Sequence, residues 1–188
     1  MRNIIGLLIV AALPLLHGCA AVAVGGATAA GMLMADDRRT VGTITEDQGI
    51  EFKASNRIGQ KFGNAHINVT SYNRMLLLTG EVTGAAAKSE IEKISRAVEN
   101  VRGVYNETQV AGNSSLTARA NDAYLTSKVK ARFLDARKFD VVHVKVVTEA
   151  NTVYLLGLVT RKESNDATEL ARTTGGVQRV VRVFEYLD

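Results

Sequence analysis

The chain has 188 residues, 46% of them apolar and 22% charged, with 23 Lys and Arg against 19 Asp and Glu for a formal net charge of +4. That balance excludes an intrinsically disordered protein and allows one or two small domains. One Cys excludes internal disulfides and multi-cysteine metal or iron–sulfur sites, and with 5% aromatics and no Trp the core must be built from Val, Leu, Ile and Ala.

Arg2 precedes an apolar run over 4–16, the order of a secretory signal. The run ends in Leu16-His17-Gly18-Cys19, the pattern of a bacterial lipoprotein signal, although His17 stands where a small residue is usual. Residues 1–18 are read as signal peptide and Cys19 as the lipidated residue. The other reading is an uncleaved anchor, since the uncharged stretch over 3–35 is long enough to span a bilayer. Ala20, in place of the Asp that retains enteric lipoproteins at the inner membrane, favours the outer membrane. A periplasmic address removes nucleic acid as a partner. Residues 19–45 are read as lipidated Cys and tether, with Asp36-Asp37-Arg38-Arg39 as solvated charges.

The remainder is an internal repeat. Arg57-Ile58 and Lys61-Phe62 match Lys128-Val129 and Arg132-Phe133 at an offset of 71. His66-Ile67-Asn68-Val69 matches His143-Val144-Lys145-Val146, and Leu78-Thr79-Gly80 matches Leu155-Leu156-Gly157, both at 77. The jump implies about six extra residues in the second copy. Each copy reads helix, strand, strand, helix, strand. In the first, Ile50, Ala54, Ile58 and Phe62 line one face of a helix over 47–62, which Gly63 ends in a left-handed cap. Ile67 and Val69 alternate with polar residues in a half-buried strand, Tyr72-Asn73 marks a reversal before a strand over 75–82, and a helix over 86–100 leads to a strand over 104–110.

In the second copy the corresponding elements fall at 121–135, 142–148, 152–159 and 177–186, with a capping box at Thr160–Glu163 opening the second helix. Domain bounds follow as 46–111, a linker over 112–118, and 119–188. The fold class is α+β: two tandem αββαβ modules, each with two helices on one face of a three-stranded mixed sheet.

The duplication, with Gly80 and Gly157 late in the second strand and Val-x-x-Val leading into the third (Val101 and Val104, Val177 and Val180), resembles tandem BON domains. With the stretch Asp37–Thr43 and the lipoprotein signal, the chain resembles the dual-BON outer-membrane lipoproteins. The resemblance implies an αββαβ fold, residence at the outer membrane on its periplasmic side, a role in envelope integrity with division sites as a destination, and anionic-phospholipid binding by the second module.

Chemistry is absent by motif. There is no GxSxG, P-loop, HExxH or CxxC, so neither an enzyme nor a cofactor is expected. His66 and His143 occupy equivalent positions, which duplication explains more simply than a metal pair. A mid-strand Gly in both copies fits tight packing better than ligand approach.

The copies differ in charge. Residues 40–116 carry 8 Lys and Arg against 8 Asp and Glu, and residues 117–188 carry 12 against 9. The surplus gathers at Lys128, Lys130, Arg132, Arg137 and Lys138, beside Tyr124 at the helix edge and Phe139 in the longer loop. Such a set suits an anionic, phosphatidylglycerol-like membrane, with Tyr at headgroup level and Phe below it. The resemblance adds Val129 and Leu134 to that site. The alternative is an ordinary solvated helix face with Phe139 in the core, on a scaffold that docks periplasmic envelope proteins through open sheet edges.

Overall fold

Thr40 accepts a hydrogen bond from the Thr43 amide through its hydroxyl and starts α1 (Val41–Phe62). The structure, a computed structural model, describes residues 37–188; the signal-peptide and Cys19 readings lie outside the described residues. In order along the chain come β1 (Ile67–Tyr72), β2 (Met75–Val82), α2 (Ala85–Arg96), β3 (Gly103–Asn106) and β4 (Gln109–Val110). The second module follows with α3 (Leu116–Ala136), a short 3₁₀ turn (Val141–His143), β5 (Val144–Glu149), β6 (Thr152–Val159), α4 (Arg161–Arg172) and β7 (Arg179–Tyr186). None of the described helices is long and apolar enough to cross a membrane.

In each module the middle strand pairs antiparallel with the strand before it and parallel with the strand after the helix. The third strand of module 1 is broken: β3 and β4 both pair with β2, and Thr108 is buried between them on the Asn106 side chain.

Helices cover one face of each sheet. In module 1, Ile50, Ala54, Leu76 and Val98 form one buried cluster and Ile58, Leu78, Val82 and Ile91 another. In module 2, Val129, Phe133, Val153 and Leu155 pack with Ala167 and Ala171 of α4. The opposite faces pack on each other: Tyr72 and Leu77 of module 1 meet Tyr154, Leu156 and Val183 of module 2. The result is four layers, helices–sheet–sheet–helices. It explains the unbroken apolar runs of β2 and β6, which are buried on both sides.

Three expectations are corrected. The helices begin a turn or more earlier than their apolar period suggests, so residues 41–45 and 116–118 belong to helices and not to tether or linker. The helical offset between copies is 75 and not 71: Asp47, Ile50, Ala54 and Ile58 are the buried counterparts of Asp122, Leu125, Val129 and Phe133. With the strands at 77, the second copy has two extra residues in its loop. Apolar residues recur every fourth position on this face, so a slip of one turn matches almost as well. Gly63 is right-handed (φ −59°), and α1 ends without a left-handed cap.

Gly80 does need its freedom. At φ +105° it lets the His66 carbonyl approach so closely that a Cβ would collide with the oxygen. Glu81 donates its backbone N–H to that carbonyl at 2.8 Å. Gly157 admits the His143 carbonyl in the same way.

Candidate functional site

Two buried aspartates hold the frame on which the surface is built. Asp47 in α1 accepts from the Ser71 hydroxyl (2.6 Å), the Asn73 and Arg74 amides (2.8 and 2.7 Å) and the Arg39 guanidinium (3.0 Å). Asn73 and Arg74 have φ of 49° and 64°, so this carboxylate fixes a tight turn that side chains disfavour. Asp122 does the same for Ala150 and Asn151, accepting from both amides at 2.9 Å. Neither aspartate was singled out in the sequence, although each lies three residues before a core position (Ile50, Leu125).

Arg38 and Arg39 are not solvated. Arg38 makes a fork to Glu163 at 2.7 and 2.8 Å and also donates to the Leu158 carbonyl. Arg39 lies 3.9 Å from the centre of the Tyr72 ring and pairs with Asp47. The Arg38 guanidinium, with the Thr160 amide of the capping box, holds the Glu163 carboxyl down to about 2. A depressed acid contributes stability above its unfolded value, near 4.5, and loses it as pH falls toward 2. With the pair partly open to solvent, we expect about 2 kcal/mol at neutral pH. Denaturation of the wild type and Glu163→Gln should differ by that amount at neutral pH and converge in acid. A gap that persists undiminished at the acid end would contradict it.

Across the sheets, His66 Nδ1 lies 3.0 Å from Glu81 Oε2 and 3.7 Å from Glu149 Oε1 of the other module. Asn68 and Thr79 both donate to Glu149 Oε2, and the Ser114 amide donates to Glu81. Among the described residues this is the trio whose ligand atoms, all within 4.8 Å of one another, could hold a cation. The existing hydrogen bonds already engage each member, and the arrangement works as a clasp between modules. The two carboxylates are buried and His66 is partly covered.

The surface of α3 sorts the residues named from the sequence. At about 100° per residue, Tyr124, Lys128 and Arg132 fall on the flank beside α4, whereas Lys130 and Leu134 fall on the other flank, with the solvent-facing crest between them. Tyr124 is 62% exposed and Leu134 is 59% exposed. Lys128 donates to the Gly175 carbonyl at 2.6 Å, and its ammonium is 5.4 Å from the Tyr124 ring centre. No hydrogen bond or ion pair of the described residues involves Lys130.

Four of the named residues are removed or constrained. Val129 has no exposure and is core, which excludes it from any lipid contact. Arg132 donates to the Leu170 carbonyl and to the Thr173 and Thr174 hydroxyls, so its guanidinium closes the end of α4. Lys138 pairs with Asp166 at 3.3 Å. Phe139 is half-buried, its ring edge-on to Phe133 at 5.0 Å, because the shorter insertion keeps this loop against the core.

The crest carries a residue the sequence reading missed. Leu116 is 82% exposed and lies about five turns before Leu134 on the same line. Ala120, Ala123, Ser127 and Ala131 are exposed between them. The spacing of 18 was visible, but Leu116 had been assigned to the linker. The equivalent line on α1, shifted by 75, reads Val41, Thr45, Gln48, Phe52, Asn56 and Gly59, which is more polar and glycine-broken.

Both modules match the BON domain family, over residues 46–112 and 121–188. The chain is similar to the outer membrane lipoprotein DolP of Haemophilus influenzae, 36% identical over 176 residues that cover 92% of this chain and 91% of that one. It is also similar to a 21 kDa hemolysin of Actinobacillus pleuropneumoniae, 28% identical with 80% and 79% covered. A third relative is the osmotically-inducible protein Y of Escherichia coli, 28% identical with 80% and 78% covered.

Proposed function

This chain belongs to the BON domain family, as a lipid-anchored outer-membrane protein with two such modules, and from that premise we propose that its second module docks on anionic phospholipid through the crest of α3. One observation carries the reading. Leu116 and Leu134 on one edge of the crest and Tyr124 on the other are exposed, uncharged residues lie between them, and Lys128 and Lys130 stand just outside on the two flanks. This is how a helix lies in a membrane interface, apolar side chains inward and ammonium groups at the phosphates. Each lysine near an anionic surface contributes about 1 kcal/mol, and the lipid on the chain supplies the rest by proximity. The role is non-enzymatic: it holds the module against the membrane in support of the envelope, division sites included.

The test is vesicle co-sedimentation of soluble protein lacking residues 1–19. Binding to phosphatidylglycerol-containing vesicles and not to neutral ones is expected. Tyr124→Ala with Lys128→Glu should weaken it at least about tenfold, and Phe52→Ala on α1 should leave it unchanged. Equal binding by the double variant would reject the crest. A stoichiometric protein partner recovered in its place would favour a periplasmic docking scaffold.

A further inference from the structure

Between the two modules lies a cavity of about 480 Å³, bordered by α1, the end of β1, α3 and the start of β5. That volume is within the range of small-ligand sites, roughly 300–1,000 Å³. Its lining is mixed: Ile44, Phe133, Leu134, Val141, Val142 and Val144 form an apolar side, opposite Gln48, Ser71, Tyr72 and charged groups. The charges around it cancel in pairs. Arg39 is bound to Asp47, and Lys145 is bound to Glu51 at 2.9 Å. Lys130 is left as a cation with no hydrogen bond or ion pair among the described residues, at the rim beside the apolar side. An apolar side to a hollow, with one cation at its rim that has no partner among the described residues, suits an amphiphile with one acyl chain and one anionic head.

Position strengthens the fit. Leu134 and Lys130 belong both to this cavity and to the border of the α3 crest. A crest lying on a bilayer would bring the opening to the depth where acyl chains begin. We propose that the cavity takes the acyl chain of an anionic phospholipid, with the phosphate on Lys130, so that the second module grips one lipid as well as resting on many. The proposal rests on the anionic-lipid reading of α3 and adds to it a discrete, saturable site.

The probe is a short-chain monoacyl phosphatidylglycerol below its micelle concentration, titrated into the soluble two-module protein and followed by amide chemical shifts. Saturable one-to-one binding is expected, with shifts at Val141, Val142 and Ile44. Ile44→Trp should fill the cavity and weaken this binding about tenfold or more, and Lys130→Glu should do the same by removing the phosphate partner. Unfolding midpoints equal to wild type will show that both variants fold; Val142→Phe is the substitute filler should Ile44→Trp not fold. Leu116→Glu, on the crest and outside the cavity, should abolish vesicle binding and leave the monomeric lipid bound as before. The corresponding phosphocholine should bind more weakly.

Absence of saturable binding, with vesicle binding intact, would overturn the cavity and leave the crest standing. Binding that Leu116→Glu removes and Ile44→Trp does not would place the lipid on the crest and also overturn it. Absence of vesicle binding by the wild type, with the monomer still bound, would reject the crest and keep the cavity.

Discussion

Replacing Asp47 by alanine is expected to cost about 3–5 kcal/mol, the range for breaking a buried charge pair whose partner stays behind. The carboxylate is 3% exposed and has four donors, one of them the Arg39 guanidinium. Alanine would leave two turn amides, a serine hydroxyl and a cation without their acceptor, and would release a turn whose two residues sit at positive φ. Asp122→Ala removes two amide bonds and no cation, so about 1–3 kcal/mol is expected there. Urea denaturation of the two variants checks both the sizes and the order. Equal losses would mean that the Arg39 pair contributes nothing.

Gly80→Ala should be at least as severe as a large core deletion, about 3 kcal/mol or more. Two separate penalties act at one position. The backbone at φ +105° is one that side chains avoid, and the added Cβ would strike the His66 carbonyl oxygen. The chain can relieve the clash only by moving the start of β1, and His66 with it, away from the clasp to Glu149. Gly157→Ala meets the same kind of carbonyl without the positive φ and should lose less. Thermal unfolding of the pair reads the difference; an alanine at 80 with an unchanged midpoint would refute the close approach.

Much of this architecture could be read from the amino acids. The αββαβ order, the duplication, the Thr160–Glu163 capping box and the reversals at Asn73 and Asn151 all rest on local signals, and local signals survive into the structure. The first turns of α1 and α3 did not carry one. Val41-Gly42-Thr43 and Leu116-Thr117-Ala118 have poor helix formers or no apolar period, and their helicity comes from the Thr40 and Ser115 caps.

The face-to-face docking of the sheets was present in the sequence as Leu76-Leu77-Leu78 and Tyr154-Leu155-Leu156. Runs without alternation indicate a strand buried on both sides, a signal that the reading of these two strands did not use. Long-range charge partners left no trace. Nothing near Arg132 in sequence points to the end of α4 some forty residues away, so a cation that closes a helix looked the same as one awaiting a phosphate. Tyr124 was found because helical rotation alone brings it to the surface, Lys130 through the local charge surplus and Leu134 through the family resemblance.

The fork from Arg38 to Glu163 settles where any pull from Cys19 would be felt. The chain passes into α1 of the first module, yet its mooring is on the second, at α4 and the Leu158 carbonyl of β6. Nineteen peptide steps separate Cys19 from that cleat, a line no longer than about 65 Å when taut. Were Cys19 the lipidated residue, tension from the membrane would load the lysine-flanked half of the molecule first, and cutting the fork would shift that load onto the Arg39–Asp47 pair and the leading turn of α1.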